Sequence, residues 1–245
     1  MSKSQSLSAK SKRHDLLTER VRRIRRNRLA DYQPYPKQRA FHEAGAEHRE
    51  RLLMAANQVG KTLAGACEGA MHLAGQYPDW WLGRRFDGPT RGWVGSVTGE
   101  VTRDNAQRML VGNPRDRSSW GEGVIPGDTL GRVSLRSGIP DALDGVLVRH
   151  VSGSWSSLGF KTYEPARTKW QGETLDFVWF DEEPPMDVYM EGLTRTNASG
   201  GIVFITFTPI FGMSDVVHMF MESEKEGQSS NVKERPEDRP FPGGQ

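Results

Sequence analysis

The sequence predicts an α/β fold, a mainly parallel sheet flanked by helices, and three observations carry that expectation. Phe177-Val178-Trp179-Phe180 and Ile202-Val203-Phe204-Ile205 are short continuous apolar runs, the pattern of strands covered on both faces. Residues 61–73 are rich in Ala and Gly and nearly free of charge, which suits a helix lying close against a sheet. Strand-like and helix-like segments alternate along the chain, as crossover connections between parallel strands require.

Composition narrows the class. With 36% hydrophobic and 26% charged residues the chain matches ordinary soluble domains, so a packed core is expected. No apolar stretch approaches the roughly 20 residues that span a bilayer. The opening MSKSQSLSAKSKR has no apolar run behind it, so no secretory leader is expected. Cys67 is the single cysteine, which excludes an internal disulfide and suits a reducing cytoplasm.

Taken in order, residues 1–14 read as unstructured. Over 15–29, Leu17, Val21 and Ile24 recur at helical spacing with arginines on the other face. Lys10, Lys12, Arg13, Arg20, Arg22, Arg23, Arg25, Arg26 and Arg28 form a basic cluster there. Such a cluster either neutralises nucleic-acid phosphates or is simply a solvated arm; charge alone leaves both open. Pro34 and Pro36 end this segment, which makes 1–31 a basic arm and helix preceding a domain over 32–222.

Inside that domain a short helix is expected over 37–47, a strand at Leu52-Leu53-Met54, and a helix over 61–73. Trp93–Val97 reads as a strand and 100–110 as a helix. Residues 112–142, dense in Gly, Pro, Asp and Ser, read as loops with short strands. Residues 146–151 and 158–163 form a predicted hairpin around Gly153-Ser154-Trp155. The polar, Pro-rich tail over 223–245 is expected to be disordered.

The strongest chemical signal is Ala55-Ala56-Asn57-Gln58-Val59-Gly60-Lys61-Thr62, between a strand and a helix. It fits the phosphate-loop pattern G-x-x-x-x-G-K-[ST] except that Ala55 stands at the first glycine. Backbone N–H groups of Asn57, Gln58, Val59, Gly60, Lys61 and Thr62 would curl around a β-phosphate at the positive end of the helix. Lys61 reaches the β- and γ-phosphates and the Thr62 hydroxyl ligates Mg²⁺. Alanine at 55 is a departure to check, because glycine tolerates positive φ and alanine does not.

The second signal is Asp181-Glu182, at the C-terminal end of the buried run 177–180, where open α/β sheets bind ligands. Asp181 suits Mg²⁺, an ion that prefers oxygen ligands and keeps several waters. Glu182 suits the water that attacks a γ-phosphate, which makes water the acceptor and the reaction ATP hydrolysis. The bland alternative is a capping cluster of Asp181, Glu182 and Glu183 before Pro184-Pro185. The phosphate loop upstream argues against it.

Together these residues resemble the large terminase subunit of tailed phages. The resemblance is carried by 55–62, Phe160-Lys161-Thr162-Tyr163-Glu164, Trp170-Gln171-Gly172 and Trp179-Phe180-Asp181-Glu182-Glu183-Pro184-Pro185. Tyr77-Pro78-Asp79-Trp80-Trp81 and Thr206-Phe207-Thr208-Pro209 add to it. It implies a RecA-like P-loop NTPase that hydrolyses ATP with Mg²⁺ to move double-stranded DNA into a procapsid in the cytoplasm of the bacterial host. Portal protein, a small terminase subunit and further copies in a homo-oligomeric ring are the implied partners. Gln38, in Pro36-Lys37-Gln38, matches the adenine-reading position, and Thr208 the residue that couples to the γ-phosphate. A turn threonine before Pro209 explains Thr208 equally well from spacing.

Two departures qualify the match. Gln58 stands where many relatives carry an arginine, so another arginine is needed, with Arg103, Arg149 and Arg167 as candidates. No counterpart of the family's nuclease domain follows, so no DNA cleavage is expected of this chain. The competing reading is a truncated terminase-like product that binds DNA, portal or small subunit without hydrolysing ATP. Scattered histidines and one cysteine offer no zinc site. Most tryptophans are expected in the core.

Overall fold

The computed structural model describes residues 18, 21, 27–56, 59–164, 170, 172–209, 214–225 and 230–234, with side chains described as far as residue 222. The basic cluster and the helix expected over 15–29 therefore lie largely outside the described residues, as do Asn57 and Gln58. The described part is organised by one eight-stranded sheet, in the order β3-β4-β5-β2-β6-β7-β1-β8. Its strands are β1 (Glu50–Ala55), β2 (Arg91–Ser96), β3 (Leu130–Leu135), β4 (Leu143–Arg149), β5 (Trp155–Thr162), β6 (Phe177–Asp181), β7 (Ile202–Phe207) and β8 (Ser230–Glu234). From β5 to β8 every neighbouring pair is parallel, while β3/β4 and β4/β5 are antiparallel.

The apolar runs that predict β6 and β7 sit in the middle of this sheet, and every residue of both strands is buried. Alternate side chains feed two cores. On one face Leu53, Val94, Phe177, Trp179 and Phe204 meet Ala64, Cys67, Ala70 and Met71 of α2 (Lys61–Ala74), with Phe41 of α1 (Pro36–Ala44) beside them. Leu52, Trp93, Val178, Phe180, Val203 and Ile205 point the other way, among side chains from two further helices. These are α5 (Met186–Asn197), which supplies Val188 and Tyr189, and α6 (Asp215–Lys225), which supplies Val216 and Phe220. Helices on both faces of a parallel sheet are what the sequence predicts.

Close packing explains the small residues of α2. A Cβ on Gly65 would lie 2.5 Å from the Trp179 indole, so only glycine lets the helix approach this strand. Cys67 is buried, and burial pushes its thiol well above the ordinary range. Trp81, Trp93, Trp170 and Trp179 are buried as expected, whereas Trp155 is half exposed.

The helix expected over 100–110 is split: α3 (Gly99–Thr102) runs through a π-helical stretch, Arg103–Gln107, into α4 (Arg108–Leu110). The Gln107 amide spans to the β3–β4 turn, donating to Asp141 O at 2.8 Å and accepting from Leu143 N at 2.8 Å. The hairpin expected over 146–163 is β4 and β5.

One expectation needs correcting. The tail over 223–245 is not wholly disordered, because α6 extends to Lys225 and Ser230–Glu234 pairs in parallel with β1 as β8. Ser-Asn-Val-Lys-Glu lacks the apolar signature of a strand; an edge strand is ordered by main-chain hydrogen bonds, which composition does not register. Among the described residues no helix is long and apolar enough to cross a membrane.

A buried polar layer lies beneath α1 and α2. Arg51 on β1 pairs with both oxygens of Glu68 on α2, and Arg51 Nη1 also donates to Phe41 O at 3.0 Å. His42 Nδ1 lies 2.6 Å from Glu68 Oε2 and its Nε2 3.0 Å from the Tyr32 hydroxyl. His72 bonds Glu68 Oε1 and the Tyr77 hydroxyl at 3.4 and 3.1 Å. Burial alone would raise the Glu68 carboxyl, but Arg51 and the two histidines outweigh it and hold it well below the usual range.

Candidate functional site

The order β6-β7-β1 decides where the two sequence signals meet. β1 delivers the chain into the phosphate loop and β6 ends in Asp181, with only β7 between them. Asp181 is in register with Thr206, and Thr206 with Leu53, so the three strands end side by side. The site lies at the C-terminal edge of the parallel strands, as the sequence reading requires.

Ala55 proves harmless. It closes β1 and is absent from the positive-φ residues, so the first position of the loop needs no glycine here. Gly60 does need one: its φ is +82°, the left-handed region, and it caps α2 without any side-chain cap. No side chain caps the first turn of α2, whose N–H groups point out of the positive end of the helix, the arrangement that favours anions. Lys61 is buried and folds back onto its own loop, donating from Nζ to Ala56 O at 2.8 Å. Gln38 braces the loop from α1. Its Nε2 donates to Val59 O and Gly60 O at 3.1 and 3.3 Å, and its Oε1 accepts from Tyr35 N at 2.9 Å. Both amide hydrogens are committed, so a bond from them to a base requires one to be exchanged.

Thr62 Oγ1 donates to Asp181 Oδ1 at 2.9 Å, across 119 positions of sequence. Thr206, which the sequence reading passed over for Thr208, completes the arrangement. The Trp179 indole N–H donates to Thr206 Oγ1 at 2.8 Å, so the Thr206 proton goes to Asp181 Oδ1, 3.1 Å away. Asp181 Oδ2 is buried with no hydrogen-bond partner. Burial, helped by the charge of Glu182, pushes the Asp181 carboxyl up from 3.8 to about 7, and the threonine bonds and Lys61 offset this only in part.

A buried carboxylate oxygen without a partner, next to a threonine hydroxyl, is a fitting pair of hard oxygen donors for Mg²⁺. Among the described residues no group of three or more His, Cys, Asp or Glu is placed to hold a metal.

Glu182 is one residue further on, and its φ is +82°, a left-handed conformation rare for a side chain of this size. Its N–H donates to Thr206 O at 2.8 Å and its own carbonyl accepts from the Tyr163 hydroxyl at 2.6 Å. Burial raises its carboxyl, while the charge of Lys61 and a bond from the Thr208 N–H pull it back without cancelling the rise. Lys61 thus acts electrostatically on both carboxylates, and Thr208 reaches Glu182 through its backbone.

The arginines behave differently. Arg103 is bound to Asp104 and to Pro140 O, and Arg149 ends β4 opposite Trp155, at the edge of the sheet away from Asp181. Arg167 lies outside the described residues. A cleft of about 880 Å³ opens over the ends of β2 and β5, lined by Thr98, Glu100, Arg136, Lys161 and Glu164 among others.

Residues 52–237 match the family described as terminase large subunit, T4likevirus-type, N-terminal. The chain is 39% identical over 231 residues to the terminase large subunit of Salmonella phage P22, covering 87% of this chain and 46% of the relative. It is 24% identical to that of Enterobacteria phage LP7, covering 87% of this chain and 48% of the relative, so it spans about half the length of the curated relatives it matches. In fold it is similar to the large terminase ATPase domain of Thermus phage P74-26, at TM-score 0.59 and 18% identity over 84% of this chain and 82% of that one. It is also similar to the large terminase of a thermophilic bacteriophage in complex with ADP, at TM-score 0.55 and 13% identity over 84% of this chain and 46% of that one. In fold the sheet is similar to those of large terminase ATPase domains, and the chain belongs to the terminase large-subunit family, in its N-terminal part.

Proposed function

We propose that this chain is the ATP-hydrolysing motor domain of a phage terminase, acting on double-stranded DNA with Mg²⁺. The observation that carries the reading is the contact of Thr62 with Asp181, which joins the phosphate loop to the acidic strand end with Glu182 next in the chain. The similar large terminase of the thermophilic bacteriophage has been solved with ADP and with ATP-γ-S, which supports a nucleotide as the ligand here.

In this reading Asn57, Gln58, Val59, Gly60, Lys61 and Thr62 hold the phosphates, and Lys61 exchanges Ala56 O for phosphate oxygens. Gln38 braces the loop on the nucleotide side. Thr62 and Asp181 would hold Mg²⁺, which when bound neutralises charge on the β- and γ-phosphates. Glu182 orients the attacking water and takes its proton, and burial raises its carboxyl in the direction that makes it a better base. Thr208, joined to Glu182 by its N–H, passes the state of the γ-phosphate to β7. Residues 32–234, which include β8, form the catalytic unit, and 1–31 a basic arm toward DNA. Assembly in a homo-oligomeric ring at the portal, with a small subunit, places the motor in the cytoplasm of the bacterial host.

The test is phosphate release from ATP by the purified chain, with and without double-stranded DNA, repeated at high protein concentration. Mg²⁺-dependent release that rises with DNA is expected. Tight ATP binding without release under every condition would contradict the reading.

A further inference from the structure

We propose that Tyr163 is a positioning residue for hydrolysis, holding Glu182 in its left-handed conformation through a hydrogen bond to the Glu182 carbonyl; this rests on the hydrolytic reading above. A residue other than glycine at φ +82° is strained and persists only where its surroundings fix it. Two bonds fix the main chain of Glu182. Its N–H is held by Thr206 O at 2.8 Å and its carbonyl by the Tyr163 hydroxyl at 2.6 Å.

Tyr163 is itself well anchored. It follows β5 directly, its N–H donates to Ser96 O at 3.0 Å, and its ring packs against the stacked pair Trp170 and Phe180, with centroids 6.3 and 6.0 Å away. The hydroxyl carries one proton and faces two carbonyls, Glu182 O at 2.6 Å and Gly95 O at 3.1 Å. The shorter bond goes to Glu182, so the side chain braces the end of β6 from β5 across β2. Burial and the nearby charges of Asp181, Glu182 and Glu183 keep the phenol protonated, and hence a donor. Without this bond the Glu182 peptide is free to relax toward negative φ, which turns the carboxylate away from the γ-phosphate side. The nucleotide contacts from 57–62 are untouched by that change.

The experiment is a double-mutant cycle on the full chain. ATP affinity and single-turnover phosphate release are measured for the parent, Tyr163→Phe, Glu182→Ala and the double variant. Tyr163→Phe removes one oxygen and keeps the ring in its packing. The expected result is at least a tenfold slower release with ATP affinity within twofold of the parent, and a double variant no slower than Glu182→Ala alone. Three outcomes overturn the proposal while leaving the hydrolytic reading intact: Tyr163→Phe releasing phosphate like the parent; its losing affinity and release together; or its slowing Glu182→Ala by the same factor as the parent. Parent-like release by Glu182→Ala would overturn the hydrolytic reading itself, and this proposal with it.

Discussion

Asp181 is where the site's chemistry and its stability oppose one another. Its carboxyl titrates near 7 in the folded chain against 3.8 ordinarily, a difference on the order of 4 kcal/mol at about 1.4 kcal/mol per pH unit. Because the folded value is the higher one, the group's contribution to stability is whole below about pH 4 and is lost as pH rises through 7. Asp181→Asn removes that loss and keeps an oxygen for Thr62 and Thr206. Melting of the nucleotide-free parent and variant at pH 5 and pH 8 should show the variant ahead by several degrees at pH 8, at about 2–4 °C per kcal/mol. Its advantage should shrink at pH 5; an equal difference at both pH values would contradict the assignment of this shift.

At the scale of elements, the fit of α2 on β6 sets the distance between loop and acid. Gly65→Ala would press a methyl into the Trp179 indole, whose N–H directs Thr206 at Asp181. Overpacking of this kind costs about 1–3 kcal/mol. Gly69→Ala, one turn along, meets Phe177 at an ordinary 3.8 Å and gains up to about 1 kcal/mol of helix propensity. Urea unfolding of the two variants should therefore shift in opposite directions; two shifts of the same sign would refute this packing argument. These elements are also the most legible in the sequence. β6 and β7 announce themselves as unbroken apolar runs, and α2 by its small residues. The π-helical stretch and β8 carry no such mark, because one depends on Gln107 bridging to another loop and the other on main-chain bonds to β1. Thr206 and Thr208 could not be told apart by spacing; only the register of β7 with β6 sets Thr206 against Asp181.

Over the whole molecule, the Arg51–Glu68–His42–His72 layer joins Tyr32, α1, β1, α2 and the segment around Tyr77 into one body beneath the phosphate loop. Nothing in the sequence singles out these residues, since each partner lies on a different turn or element and ionic pairing has no periodicity. Removing one partner leaves a buried charge uncompensated: Glu68→Ala should cost about 3–5 kcal/mol in chemical unfolding, and an apolar replacement of both Arg51 and Glu68 much less. A cost for the double change equal to or above the single one would show that the layer acts otherwise. The same body holds Gln38 on α1 against Val59 and Gly60, so the layer supports the site without touching it.

The central claim is that Lys61, Thr62, Asp181 and Glu182 converge on one triphosphate. Its most direct test is ATP affinity measured beside phosphate release for Lys61→Ala and Glu182→Ala. Lys61→Ala is expected to lose binding, whereas Glu182→Ala binds as the parent does and releases phosphate at least a hundredfold more slowly, within the range of about 10²–10⁴ that a positioned general base contributes. Turnover at the parent's rate by Glu182→Ala, or undiminished binding by Lys61→Ala, would contradict it.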